Sequence, residues 1–138
     1  MHTFLYARVS TTDQTIAHQR AQAEAAGYVF DEVIEDPGVS GVTTRFKDRK
    51  GGALLLGKLR RGDVLVVRWV DRLGRSYDDV TETIRTLMQR GVVIKTIING
   101  MVFDGATKDP IQMAVRDALI AFMAATAQAQ AEATKEAQ

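Results

Sequence analysis

The chain contains no cysteine, two histidines, two prolines and one tryptophan in 138 residues. Without cysteine there is no disulfide, no thiol nucleophile and no cysteine-ligated zinc, a composition compatible with a reducing cytoplasm. His2 and His18 are too few and too poorly placed for a metal cluster, and neither has the spacing of a Ser-His-Asp triad. No apolar run approaches the roughly 18 residues of a membrane span, and the amino terminus does not read as a signal peptide. The expectation is a cytoplasmic domain with no membrane partner. A hydrophobic content of 46% and a charged content of 25% are ordinary for a globular protein. This length suits one domain able to bury a core.

Net charge is +1, but it is unevenly spread. Arg45 to Arg75 holds ten Lys or Arg against three Asp, a local balance of +7, whereas Asp104 to Gln138 sums to −2. A basic middle and a slightly acidic tail suggest one face for a polyanion and another for something else. A solvated charged surface would give the same count.

Strands and helices alternate along the chain. Residues 3–9 (TFLYARV) read as a strand. An Ala-rich helix follows over 13–26, with Thr11 and Gln14 spaced as a capping box and Gly27 ending it. Residues 28–34 (YVFDEVI) read as a second strand, and DPGVSGVTTRFKDRKGG as a mobile loop. A short helix is expected at about 52–60. The apolar run 63–70 (DVLVVRWV) then fits a strand buried on both faces. Ser76 caps a helix over 77–90 whose buried stripe is Val80, Ile84, Leu87 and Met88, and 92–98 (VVIKTII) reads as another buried strand. This order predicts an α/β fold with a mostly parallel sheet flanked by helices.

The last segment differs. Asp109 and Pro110 form a helix start, and neither Gly nor Pro interrupts the chain from there to Gln138. Ile111, Val115, Ala118, Leu119, Phe122 and Met123 give it a broad apolar stripe. A small sheet domain cannot easily cover so long a helix. Its outer part is expected to pack on another subunit, or else to fray.

Two stretches carry chemistry. In YARVSTTDQ, Arg8 and Ser10 point the same way because strand side chains alternate, with Ala7 and Val9 opposite. Taken alone, this reads as a solvated strand edge with a serine near a turn. In WVDRLGRS, a buried strand runs into Asp71, Arg72 and, beyond a glycine, Arg75. Two such arginines can converge their donors on one tetrahedral anion, with Asp71 orienting one of them. Sites in open parallel sheets lie beyond the carboxyl ends of the strands, where Ser10 and Asp71 both fall. With Arg8 and Arg49 added, a hydroxyl sits among four guanidinium groups. That inventory suits nucleophilic attack on a phosphodiester, with fixed cations rather than a metal stabilising the developing charge.

YARVST with Gln14 and Gln19, then DPGVSG, then GD before a buried strand ending in DRLGR, is similar in content and order to the serine site-specific recombinases of the resolvase/invertase group. The resemblance covers nearly the whole chain and implies a resolvase-like catalytic domain over 1–108 and a long dimerisation helix over 109–138. A separate DNA-binding domain is then absent from this chain. It implies Ser10 as the nucleophile that joins a DNA 5′ phosphate, with Arg8, Arg72 and Arg75 on the phosphate and Asp71 beside them. Counting back from Gly62 places a further active-site arginine at Arg49, not Arg45. Gln14, Gln19 and Lys58 match supporting positions. Glu132 lies in an AQAE that looks like the family's, but no role is carried over to it. The implied partners are a double-stranded DNA recombination site and a homodimer assembling to a tetramer on two such sites. No metal, ATP or other cofactor is implied.

Two other readings compete. One is a catalytically silent, DNA-associated dimerisation module of the same fold, against which the intact Ser10, Arg8, Asp71, Arg72 and Arg75 argue. The other is a phosphate-ester hydrolase, which would call for a base or metal ligands that the sequence does not offer. Whether the protein resolves, inverts, integrates or transposes depends on site arrangement rather than on these residues.

Overall fold

A computed structural model describes residues 1–9, 16–37 and 44–137. Its elements in chain order are β1 (Thr3–Val9), α1 (Ile16–Ala25), β2 (Glu32–Pro37), α2 (Lys50–Lys58), β3 (Val64–Val67), α3 (Tyr77–Gln89), β4 (Val93–Thr96), β5 (Val102–Asp104) and α4 (Pro110–Ala137). Single 3₁₀ turns at Phe46–Asp48 and Val70–Leu73 precede α2 and α3. The strands form one sheet in the order β2-β1-β3-β4-β5, parallel except for the β4–β5 pair. The α/β, mostly parallel architecture read from the sequence is the one found.

Alternation along β1 divides the core. Phe4 and Tyr6 face the larger cluster, built with Leu55 of α2, Ile84, Leu87 and Met88 of α3, and Ile94 of β4. Leu5 faces the smaller one, with Ala23 of α1 and Val64 and Val66 of β3. By the same period of two, Arg8 lies on the face of Phe4 and Tyr6. That is the side on which α2, α3 and both 3₁₀ turns pack, and it positions the site.

The short helix is Lys50–Lys58 rather than about 52–60, the strand read at 92–98 is Val93–Thr96, and three larger departures follow. The second strand is Glu32–Pro37 rather than 28–34. Tyr28 and Phe30 stack on each other, with ring centroids 6.3 Å apart, and close the smaller core instead of pairing. As an edge strand, β2 tolerates Glu32, Glu35 and Asp36 in place of apolar residues. The third strand stops at Val67, so Asp71 and Arg72 ride on a 3₁₀ turn and not on the strand end. Finally, Asn99 and Gly100, both with positive φ (63° and 57°), reverse the chain and lay β5 antiparallel on β4. That hairpin was not foreseen.

The caps of α3 and α4 are those read from the sequence. The Ser76 hydroxyl accepts the Asp79 amide at 3.3 Å, and Asp109 Oδ1 accepts the Ile111 amide at 3.0 Å. The Thr11–Gln14 capping box and most of the DPGVSG stretch lie outside the described residues. Helix α4 has 28 residues and spans about 42 Å. Its apolar stripe divides: Leu119, Ile120 and Met123 pack on the larger core, whereas Ile111, Val115 and Phe122 stay 76%, 63% and 67% exposed. No helix among the described residues is long and apolar enough to cross a membrane.

Candidate active site

Arg8, Arg49 and Arg72 are buried at the carboxyl end of the sheet, exposing 6%, 1% and 6% of their surface. Each arrives on a different element. Arg8 is the penultimate residue of β1, Arg49 links the first 3₁₀ turn to α2, and Arg72 lies on the second 3₁₀ turn. Arg49 is the largest fully buried side chain among the described residues. Its Nη1 donates to the Arg72 carbonyl at 2.7 Å and to the Tyr6 hydroxyl at 3.2 Å, and its Nε donates to the Thr44 carbonyl at 3.2 Å. Its guanidinium carbon stands 5.8 Å from the Phe46 ring centroid. Arg72 Nη1 donates to Asp71 Oδ2 at 2.6 Å. Among the described residues, Arg49 Nη2 and Arg72 Nε have no hydrogen-bond partner. The buried cluster thus keeps donors to spare.

Electrostatics follow from this packing. Burial first, and then the charges of Arg72 and Arg49, pull the Arg8 pKa down, partly opposed by Asp71. Three cations and one solvent-facing carboxylate make a site that favours an anion. Arg75 is exposed and, with Arg8, Asp71 and Val70, lines a cleft of about 330 Å³ with Tyr77 at its side.

A buried polar cluster underlies the arginines. Asp36 is 2% exposed and pairs in register with Arg8 across β1 and β2. Its carboxylate accepts the Gly51 amide at 2.7 Å, the Gly52 amide at 3.0 Å and the Tyr6 hydroxyl at 2.7 Å. An acid from another strand therefore sits on the first turn of α2, where unpaired amides and the helix dipole favour negative charge. Glycine is required for this approach, because a Cβ on Gly51 would lie 2.7 Å from Asp36 Oδ2. Burial and the bond to Asp36 push the Tyr6 pKa up, so Tyr6 stays protonated and accepts from Arg49.

Comparison with known proteins identifies the family and the fold. The family described as Resolvase, N terminal domain matches residues 3–138. The chain belongs to the resolvase family of serine recombinases. It is 37% identical over 105 residues to the transposon Tn3 resolvase of Escherichia coli, covering 76% of this chain and 55% of that protein. It is 35% identical over 99 residues to the serine recombinase PinR of E. coli K12, covering 70% of this chain and 50% of that protein. The chain thus spans about half the length of the curated relatives it matches. Two solved structures share the fold. The N-terminal catalytic domain of TP901-1 integrase matches with a TM-score of 0.67 and 20% identity, over 94% of this chain and 96% of that one. A resolvase family site-specific recombinase from Streptococcus pneumoniae matches with a TM-score of 0.65 and 22% identity, over 96% and 89%.

Within this resolvase-family domain, the residues singled out from the sequence separate into three groups. Arg8, Arg49, Asp71, Arg72 and Arg75 gather at the carboxyl end of the sheet. Gln19 of α1 joins them indirectly: it is 1% exposed and its Nε2 donates to the Arg8 carbonyl at 2.9 Å. Lys58 does not join them. It pairs with Glu32, which registers with Phe4, four residues or about 13 Å along the strand from the Arg8–Asp36 pair. Ser10 and Gln14 lie outside the described residues, as does the side chain of Glu132. Sequence reasoning missed the Tyr6–Asp36 bond, the seat of Asp36 on Gly51 and Gly52, and the reach of Asp79 to Phe46, which join residues 30, 15, 16 and 33 apart in the chain.

Proposed function

We propose that this chain is the catalytic part of a serine recombinase that cuts and rejoins DNA through a 5′-phosphoserine intermediate. The observation that carries the reading is the convergence of buried Arg8, Arg49 and Arg72, with donors unspent on Arg49 and Arg72, beside the strand end that Ser10 follows directly in sequence. In this reading the Ser10 Oγ attacks phosphorus. An Oγ–P bond forms as the P–O3′ bond breaks, and the 3′ oxygen leaves as a hydroxyl. Arg8, Arg49, Arg72 and Arg75 stabilise the charge that builds on the non-bridging oxygens, and Asp71 orients Arg72. Gln19 holds the end of β1 through the Arg8 carbonyl, and Gln14 is a supporting residue near the nucleophile. One phosphoester replaces another, so a 3′ hydroxyl from a different strand can reverse the step without ATP.

The site is read as a phosphodiester site because a bound phosphate offsets both the burial and, second, the mutual repulsion that lower the Arg8 pKa. Residues 1–108 form the catalytic core, and α4 carries dimerisation through the exposed Ile111 and Val115. Dimers pair into a tetramer on two double-stranded recombination sites, and sequence recognition belongs to a DNA-binding domain outside these residues. The names of the relatives, resolvase, recombinase and integrase, support DNA as the substrate.

A nicked recombination site that traps the cut state tests this reading. Incubation with the full-length protein is expected to give protein joined covalently to a DNA 5′ end, and Ser10→Ala is expected to abolish the adduct. An adduct that survives Ser10→Ala would remove Ser10 from the mechanism. No adduct from the wild-type protein would favour the silent dimerisation module.

A further inference from the structure

Asp79 lies on the first turn of α3 and is only 6% exposed. With Ser76 at the cap, an acid three residues on ordinarily bonds back to the cap residue's own amide. Here the carboxylate reaches one residue further. Its Oδ2 accepts the Arg75 amide at 2.9 Å, and the same oxygen accepts the Phe46 amide at 2.9 Å from a segment 33 residues away. Phe46 opens the 3₁₀ turn that delivers Arg49, since the Arg49 amide donates to the Phe46 carbonyl at 3.2 Å. Chain packing leaves little slack around this atom. A Cβ on Gly74 would lie 2.5 Å from the Val80 nitrogen and 3.0 Å from the Asp79 Cβ. Arg45 adds a looser tie, its Nε standing 4.0 Å from Asp79 Oδ1 while its Nη2 donates to Glu82 at 3.3 Å.

We propose that Asp79 is a positioning residue of the recombinase reaction, one oxygen that fixes the arginine-bearing turns 44–49 and 71–75 relative to each other. This inference rests on the reading under Proposed function. Asp79 does not touch the reacting phosphate. It acts through the backbone of Arg75 and through the turn leading to Arg49, and its effect depends on where the oxygen sits, not on its charge.

The test is single-turnover adduct formation by the full-length protein on the nicked site, with thermal unfolding measured alongside. Asp79→Glu keeps the charge but displaces the acceptor, and is expected to slow the rate constant about tenfold or more with the final yield of adduct retained. Asp79→Asn keeps an acceptor oxygen in place and is expected to lose less than about threefold. In an Arg75→Lys background, where the same arginine is already compromised, Asp79→Glu is expected to cost clearly less than in the wild type. The proposal is overturned if Asn slows the reaction as much as Glu, or if the cost of Glu is undiminished by Arg75→Lys. If Asp79→Glu does not fold, Asp79→Ser, which shortens the reach, carries the same expectations. Absence of any wild-type adduct would overturn the recombinase reading itself, and this inference with it.

Discussion

Arg49 donates its Nη1 to the carbonyl oxygen of Arg72 at 2.7 Å, so one guanidinium of the cluster holds the backbone that presents another. The fixed fork of an arginine serves three acceptors at once here, the carbonyls of Thr44 and Arg72 and the hydroxyl of Tyr6, and retains Nη2. A lysine offers one ammonium in place of the fork.

Arg49→Lys therefore removes more than it conserves. It leaves buried acceptors unpaired, and is expected to lower stability by about 1–3 kcal/mol. On the proposed mechanism adduct formation is expected to fall about a hundredfold or more, since Arg49 would no longer stabilise the developing charge and the placement of Arg72 is lost with it. Urea unfolding and single-turnover cleavage measure the two effects separately, and a rate within threefold of wild type would sink the assignment.

Two glycines of α2 should respond oppositely to the same substitution. A Cβ on Gly51 meets Asp36 and the Glu35 carbonyl at 2.7 Å, so Gly51→Ala is expected to destabilise by about 1–3 kcal/mol. Gly57 has nothing within 4 Å of the added carbon, and Gly57→Ala is expected to stabilise by about 0.5–1 kcal/mol through helix propensity. Equal effects in denaturant melts would mean that Asp36 does not hold the start of α2 as described.

Alkaline pH gives a third check. Tyr6 is held protonated above its ordinary value near 10, by burial first and by Asp36 second. A group whose folded pKa is raised stabilises the fold fully below its unfolded pKa, and that contribution is lost as pH rises through the folded value. Stability should decline from about pH 10 upward, and Tyr6→Phe should flatten this limb. Comparing the two proteins isolates Tyr6 from Arg8, whose lowered pKa acts in the opposite sense. An unchanged slope in Tyr6→Phe would contradict the buried Tyr6–Asp36 bond.

The divided stripe of α4 yields a fourth. Ile111→Ser with Val115→Glu removes exposed apolar surface and adds charge where a second copy is proposed to pack. Self-association in sedimentation equilibrium should weaken at least about tenfold, while monomer stability changes by less than about 0.5 kcal/mol. Leu119→Ala, on the docked side, should instead lower stability by about 1–3 kcal/mol. If the exposed-side variant associates as before, α4 is not the interface.

How much of this was legible depended on whether the signal was local. Period-two alternation put Arg8 on the face of Tyr6, and the caps at Ser76 and Asp109 lie within three residues of what they cap, so each could be read directly. The β4–β5 hairpin was not read, because β5 is three residues long and makes no pattern of its own, although Asn99–Gly100 is a turn signal. Asp36, Tyr6 and Asp79 could not be found this way. They look like ordinary strand and helix residues until Gly51 and Phe46 are brought beside them. Lys58 shows the converse, since its place in the sequence series says nothing of Glu32, the acid that holds it at the other end of β2.

The buried arginine cluster also bears on how this domain can change over generations. Arg8 and Arg72 set like charges beside Arg49 in a desolvated place, a cost to the fold that the hydrogen bonds of Arg49 offset only at its own position. Selection for thermal stability alone would therefore tend to erode the cluster, and selection for strand exchange would restore it. A library of variants sorted once by melting temperature and once by recombination should diverge first at Arg8 and Arg72.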